Sequence, residues 1–115
     1  ARAHILPREL IGIEPDTPGF DTFRITPAIS SIREASARLP TVRGEIKAGF
    51  RNDGNHFRLT VSIPGNTKAQ VYLPVRGKIT EVFADGFLQR HYKQKGDYLV
   101  IEHIGSGEHR FEVKF

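Results

Sequence analysis

Three carboxylates near the front of the chain, Glu9, Glu14 and Asp16, are the residues closest to a hydrolytic pair. Cleaving a glycosidic bond takes two carboxyl groups on either side of a sugar, about 6.5–9.5 Å apart for inversion or about 5–5.5 Å for retention. The three cluster at a helix end and in the loop after it, with nothing obvious to oppose them, so capping or solvated roles fit them better. His4, His56, His91, His103 and His109 raise the question of a metal. None has the i, i+4 spacing of a zinc-binding helix, and the chain has no cysteine to assist. His103 and His109 flank the Gly105-Ser106-Gly107 turn and would approach across a hairpin, but a pair of ligands rarely holds an ion. No metal site and no cofactor is expected. Ser30, Ser31, Ser36, Ser62 and Ser106 include no Gly-x-Ser-x-Gly elbow, and no phosphate-binding loop occurs. Tyr72, Tyr92 and Tyr98 are left as candidates for contact with a sugar; tryptophan, the commonest stacking platform, is absent.

The bulk properties agree with a chain that does little chemistry of its own. Its 115 residues are enough for one domain, which can bury about two-thirds of its unfolded surface without disulfide support. A hydrophobic fraction of 38% with 26% charged residues describes a folded chain, not a disordered one. The 17 basic and 13 acidic residues are interspersed, so the net charge of +4 reads as a solvated surface and not as a nucleic-acid footprint. No stretch approaches the roughly 20 apolar residues of a membrane span. Methionine is missing, position 1 included, so the chain reads as a piece of a longer product.

The elements that would position these residues are strands. Before them, Leu6, Leu10 and Ile13 share a helical face within the apolar cluster Ile5, Leu6, Leu10, Ile11 and Ile13, with Pro7 suited to a helix start and Gly12 to a stop. From Asp16 the punctuation changes. Phe20 to Ile25 reads as a short strand closed by Pro27. The segment from 28 to 43 fits either a helix or a strand ending in a turn near Pro40. Ile46, Ala48 and Phe50 alternate with polar residues, and so do Phe57, Leu59, Val61 and Ile63, with the turn signal Asn52-Asp53-Gly54-Asn55 between them. Ala69, Val71 and Leu73 follow the Pro64-Gly65-Asn66 turn. Asp85-Gly86 marks a tight hairpin joining Ile79–Ala84 to Phe87–Tyr92. Tyr98 to Glu102 and a last strand with Phe111, Val113 and Phe115 facing inward complete the series. The phenylalanines at 20, 23, 50, 57, 83, 87, 111 and 115 are mostly core by this alternation. The expected fold is all-β, an antiparallel β-sandwich of seven to nine short strands with a short N-terminal helical segment.

Four motifs in one order carry a resemblance. They are Ile-Gly-Ile-Glu-Pro-Asp-Thr-Pro-Gly-Phe at 11 to 20, Ile25-Thr26-Pro27, Gly44-Glu45-Ile46, and the series Phe57-Arg58-Leu59-Thr60-Val61, Ile63-Pro64-Gly65-Asn66-Thr67-Lys68-Ala69, Val71-Tyr72-Leu73-Pro74. Over residues 5 to 74 the chain resembles the C-terminal β-sandwich region of bacterial α-L-rhamnosidases; beyond Pro74 only the strand patterning is compatible. In that family the catalytic carboxylates belong to an α/α barrel preceding the sandwich. The resemblance therefore implies a non-catalytic accessory domain whose parent removes terminal α-L-rhamnose by inversion, and no residue here inherits the acid or base role. It divides the chain into residues 1–14, the tail of a barrel helix or a linker, and a sandwich over 15–115. It also makes Ile5, Leu6, Leu10 and Ile11 a contact with the barrel, and in a separated fragment a route to self-association; the alternative is an ordinary N-terminal turn folded over the domain's own core. Two other function classes compete. A stand-alone carbohydrate-binding module would need a row of exposed aromatics on one sheet face, and a basic interaction domain would bind nucleic acid or an acidic polymer.

Overall fold

The computed structural model describes residues 10–17, 19, 21–28 and 32–115. Its elements there are eleven strands: β1 (Ile13–Pro15), β2 (Thr22–Ile25), β3 (Glu34–Thr41), β4 (Gly44–Asn52), β5 (His56–Ile63), β6 (Lys68–Pro74), β7 (Glu81–Ala84), β8 (Phe87–Leu88), β9 (Lys93–Lys95), β10 (Tyr98–Ile104) and β11 (Gly107–Lys114). They form two sheets. Sheet A has the order β1-β2-β6-β10-β9, and sheet B the order β3-β4-β5-β11-β7-β8.

Period-2 alternation is what makes these segments strands, because successive side chains point to opposite faces. In β5, Phe57, Leu59, Val61 and Ile63 are buried while Arg58 and Thr60 are exposed. β4 follows suit with Ile46, Ala48 and Phe50. β11 pairs with β5 in full register, setting Phe111 beside Leu59 and Val113 beside Phe57. From sheet A, Phe23, Ile25, Val71, Leu73 and Leu99 meet this layer with 0% exposure, and the two inner faces form one core. The Phe50 and Phe57 rings stack across β4 and β5 with centroids 5.5 Å apart.

Several expectations need correction. The strands outnumber the expected seven to nine, because short pieces such as β1 and β9 carry too few residues to alternate visibly. One pairing is parallel: β2 lies beside β6 with Thr22 opposite Lys68 and Ile25 opposite Val71. The chain leaves sheet A after β2, builds β3, β4 and β5 in sheet B, and returns as β6 in the direction it left. Residues 34 to 41 are strand, and the turn falls at Val42-Arg43, not near Pro40. Pro40 sits within β3, which tolerates a missing N–H because β3 is a sheet edge. The Asp85-Gly86 turn forms as expected, both residues having positive φ (53° and 84°), but its second strand stops at Leu88. There Gln89 Nε2 donates to Phe87 O, and the chain leaves the ladder before Tyr92. Phe87, assigned to the core, is 74% exposed.

The expected helical segment falls mostly on residues 1–9, outside the described residues. Its last two members, Leu10 and Ile11, are buried in the core of the sandwich itself. Ala28 N donates to Leu10 O at 2.8 Å and Thr26 N to Gly12 O at 3.0 Å, so residues 10–12 run beside 26–28 and continue directly into β1. The sheet begins at Ile13. Gly12 has φ +68°, and a Cβ there would lie 2.1 Å from Thr26 O; only glycine fits.

Two stability tests follow from this packing. Phe57→Ala or Phe111→Ala should cost about 3–5 kcal/mol, the range for emptying a packed aromatic site, whereas Arg58→Ala should cost under about 0.5 kcal/mol. Urea unfolding measures both, and a larger loss at Arg58 than at Phe57 would reverse the register. Gly12→Ala should also destabilise the domain, by at least about 1–3 kcal/mol of backbone strain.

Candidate functional site

The outer face of sheet B carries two neighbouring depressions. Its floor is a row of small side chains set by register: Ser36 opposite Gly49, Gly49 opposite Thr60, and Thr60 opposite Arg110. On one side of that row lie Glu34, Arg51, Arg58 and Glu112, paired in turn across β3, β4, β5 and β11. On the other side lie Arg38, Lys47, Ser62 and Glu108. Long polar walls beside a low floor leave two open depressions, of about 720 Å³ around Arg51, Arg58 and Arg110 and about 590 Å³ around Arg38, Lys47 and Ser62. Sequence reasoning missed this face. Each arginine reads singly as an outward position of its own strand, and only the pairing of β5 with the distant β11 brings them together.

A third depression of about 460 Å³ lies where β11 meets the β7–β8 hairpin. His109 Nδ1 is 2.8 Å from Asp85 Oδ2, and His109 Nε2 is 2.9 Å from Gly105 O. This has the acid and base of a nucleophilic triad but not its third member, since the far ring nitrogen faces a backbone carbonyl and no hydroxyl. The role is structural: the imidazole clips the Gly105-Ser106-Gly107 turn to the Asp85 hairpin and stacks on Phe111 with centroids 6.3 Å apart. Arg110 N donates to Asp85 Oδ1 at 2.8 Å. Partial burial pushes the Asp85 pKa up, but the Arg110 N–H and His109 outweigh it and hold the carboxyl below its ordinary value.

The residues singled out from sequence scatter over the molecule. Glu14 and Asp16 both serve Arg24, at 2.9 and 3.2 Å, on the outer edge of sheet A; Glu9 and His4 lie outside the described residues. His56 faces Glu112 at 3.3 Å, His103 is exposed at an irregularity in β10, and His91 is exposed. His103 and His109 do not converge: one turns toward Glu102, the other toward Asp85. Tyr72 and Tyr98 do meet, edge to face with centroids 6.1 Å apart on the outer face of sheet A. Tyr98 Oη donates to Pro27 O at 3.1 Å, and burial, helped by Asp97, pushes its pKa up. Tyr92 stands apart, 40% exposed, with no ring contact among the described residues. Ile5 and Leu6 lie outside the described residues.

Comparison with known proteins places the chain. Residues 12–85 match the family described as the bacterial alpha-L-rhamnosidase C-terminal domain. The alpha-L-rhamnosidase of Streptomyces avermitilis is 28% identical over 105 residues, which are 90% of this chain and 10% of that protein. Its crystal structure, complexed with L-rhamnose, superposes with a TM-score of 0.72 at 26% identity, covering 91% of this chain and 10% of that one. The alpha-L-rhamnosidase from Dictyoglumus thermophilum has the same fold, with a TM-score of 0.84 at 23% identity over 92% of this chain and 12% of its own. That from Aspergillus terreus gives a TM-score of 0.63 at 25% identity, over 92% of this chain and 10% of its own. The chain spans about a tenth of the length of these relatives. The likeness also runs past Pro74, where the motifs legible in the sequence stop.

The Asp85 clip predicts a pH dependence. A carboxyl held below its unfolded pKa adds stability above that value and loses it as pH falls through the lower folded one. Part of the acid-induced loss of stability below pH 3.8, the ordinary carboxyl value, should therefore disappear in Asp85→Asn, which should be less stable than the native chain at neutral pH. Unfolding midpoints measured from pH 7 to pH 2 check this; parallel curves for the two proteins would remove Asp85 from the acid transition.

Proposed function

Because the chain belongs to the bacterial alpha-L-rhamnosidase C-terminal domain family, we propose that it works as the non-catalytic accessory domain of a larger glycoside hydrolase, packing on and stabilising a catalytic α/α barrel. The parent enzyme in this reading removes terminal α-L-rhamnose from glycosides or polysaccharides with inversion. The observation that carries the proposal is one of proportion: a self-packed sandwich corresponds to only 10–12% of each relative. The rest of such a protein holds ample chain for the catalytic machinery.

The disposition of acidic groups supports the same reading. Glu14 and Asp16 are both engaged by Arg24 at the sheet edge, and Asp85 by His109 and a backbone N–H. A general acid needs a raised pKa and a general base a free lone pair aimed at water; Asp85 is shifted the opposite way. The joint to the barrel is the segment before β1, with Ile5, Leu6, Leu10 and Ile11 as its apolar residues. Leu10 and Ile11 fasten it to the sandwich, so that movement of the barrel would be felt directly by sheet A.

The purified chain should give no measurable turnover of an aryl α-L-rhamnoside, and deleting the matched segment from the Streptomyces avermitilis enzyme should lower that enzyme's thermal midpoint. Turnover by the isolated chain that is abolished in Glu14→Gln or Asp16→Asn would overturn the proposal, as would a deletion that leaves the midpoint unchanged.

A further inference from the structure

Three guanidinium groups converge on the outer face of sheet B with most of their donors uncommitted, and we propose that they bind a carboxylate-bearing sugar, a hexuronate unit within an oligosaccharide. Arg51 stands directly opposite Arg58 across β4 and β5, and Arg110, paired with Thr60, is a diagonal neighbour of Arg58. Like charges facing each other across a ladder repel. Glu34 stands opposite Arg51 and Glu112 opposite Arg58, yet neither carboxylate bonds a guanidinium among the described residues, Glu112 facing His56 instead. Arg51 Nε reaches Asp53 Oδ1 at 3.3 Å, and Arg58 Nε reaches His56 Nε2 at 3.4 Å. That nitrogen also lies 3.3 Å from Glu112 Oε2, and one ring nitrogen cannot accept from Arg58 and donate to Glu112 together. The terminal nitrogens of Arg51 and Arg58, and the whole Arg110 guanidinium, make no hydrogen bond or ion pair among the described residues. Such forks match a carboxylate, which they bind through two parallel bonds.

The space between them fits one ligand class better than others. The depression of about 720 Å³ falls within the roughly 300–1,000 Å³ of small-molecule sites. Its floor is low because Gly49 has no side chain; a Cβ there would lie 3.3 Å from Ser36 Cβ and 3.4 Å from Ala35 O. Beside the arginines it presents the hydroxyls of Ser36 and Thr60 and the carboxylate of Glu34. The acceptor-only carboxylate of Glu34 receives hydrogen bonds from sugar hydroxyls and keeps the ligand's own carboxylate on the arginine side. Thr60 also lines the neighbouring depression with Arg38 and Lys47, so an extended chain has a continuous path. This proposal does not rest on the barrel contact, and the failure of either reading leaves the other standing.

Isothermal titration of the 115-residue chain with a hexuronate tetrasaccharide, and with the neutral tetrasaccharide of the same backbone, tests the proposal. The acidic sugar should bind at least about tenfold more tightly than the neutral one, and the difference should shrink as salt is raised. Arg58→Ala and Arg110→Ala should each weaken binding about tenfold with an unchanged urea midpoint. Arg58→Lys, which keeps the charge and loses the fork, should weaken it severalfold, and Tyr92→Ala should have no effect. Equal affinity for the two sugars, no binding of either, or full binding by the Arg58→Ala/Arg110→Ala double variant would overturn the proposal. So would competition by inorganic sulfate at the same concentration as the acidic sugar, which would reduce the site to a simple anion site, or tighter binding of an oligodeoxynucleotide.

Discussion

Everything in this domain depends on the ladder between β5 and β11. It joins residues 56–63 to residues 107–114 in unbroken antiparallel register, and each strand buries one face and exposes the other. A slip of β11 by one residue against β5 would turn Phe111 and Val113 to solvent and drive Arg110 toward the core. The cost of burying an unpaired guanidinium is far larger than any gain from the new pairing, so the register has no close competitor. The inner side of the ladder makes the core with sheet A, and the outer side makes the polar face with its depressions. Core and surface are consequences of one alignment.

Around that ladder the sheet edges are managed in different ways. Pro15 lies on β1 and Pro40 on β3, each on an outermost strand where a missing N–H interrupts further pairing. The third edge, β9, exposes Lys93, Gln94 and Lys95, whose charges repel a second copy. The fourth, β8, is protected by brevity, having only Phe87 and Leu88, but both are apolar and exposed. The sandwich thus presents an apolar tip at β8 and a cationic, hydroxylated face across β4 and β5, two surfaces of different chemistry.

The sequence made the long strands plain because each had room to show its period. Phe57 to Ile63 and Ile46 to Phe50 declare their inner faces in a few residues, and Asp85-Gly86 declares its turn by chemistry alone. Short strands do not. Lys93–Lys95 has no apolar residue to betray a strand, and Ile13–Pro15 is too short to alternate. The parallel β2–β6 pair was hidden because direction is a property of the whole path, which local pattern does not encode. The arginine face was hidden for a related reason. Arg51, Arg58 and Arg110 each look like an ordinary outward residue, and their meeting depends on pairings between strands far apart in sequence. Leu10 and Ile11 are legible as an apolar face that either a barrel or the domain's own core could cover, because periodicity states that a face will be covered without naming the cover.

The return of β6 to lie parallel with β2 has a consequence for how the molecule is assembled. β1 and β2 can pair with each other as soon as both exist, yet a two-stranded ribbon is marginal alone, and the next neighbour of β2 arrives only with residues 68–74. Between them the chain synthesises three strands of the other sheet, which are sequential hairpins and close quickly. Their own closure waits for β11 at the far end of the chain. Both sheets are therefore completed by long-range pairings, the kind of topology that folds slowly because loop closure precedes the contacts that reward it. The apolar side of β2 thus finds its sheet neighbour only in a strand encoded well downstream, so the finished sandwich rests on pairings that no local segment can make alone.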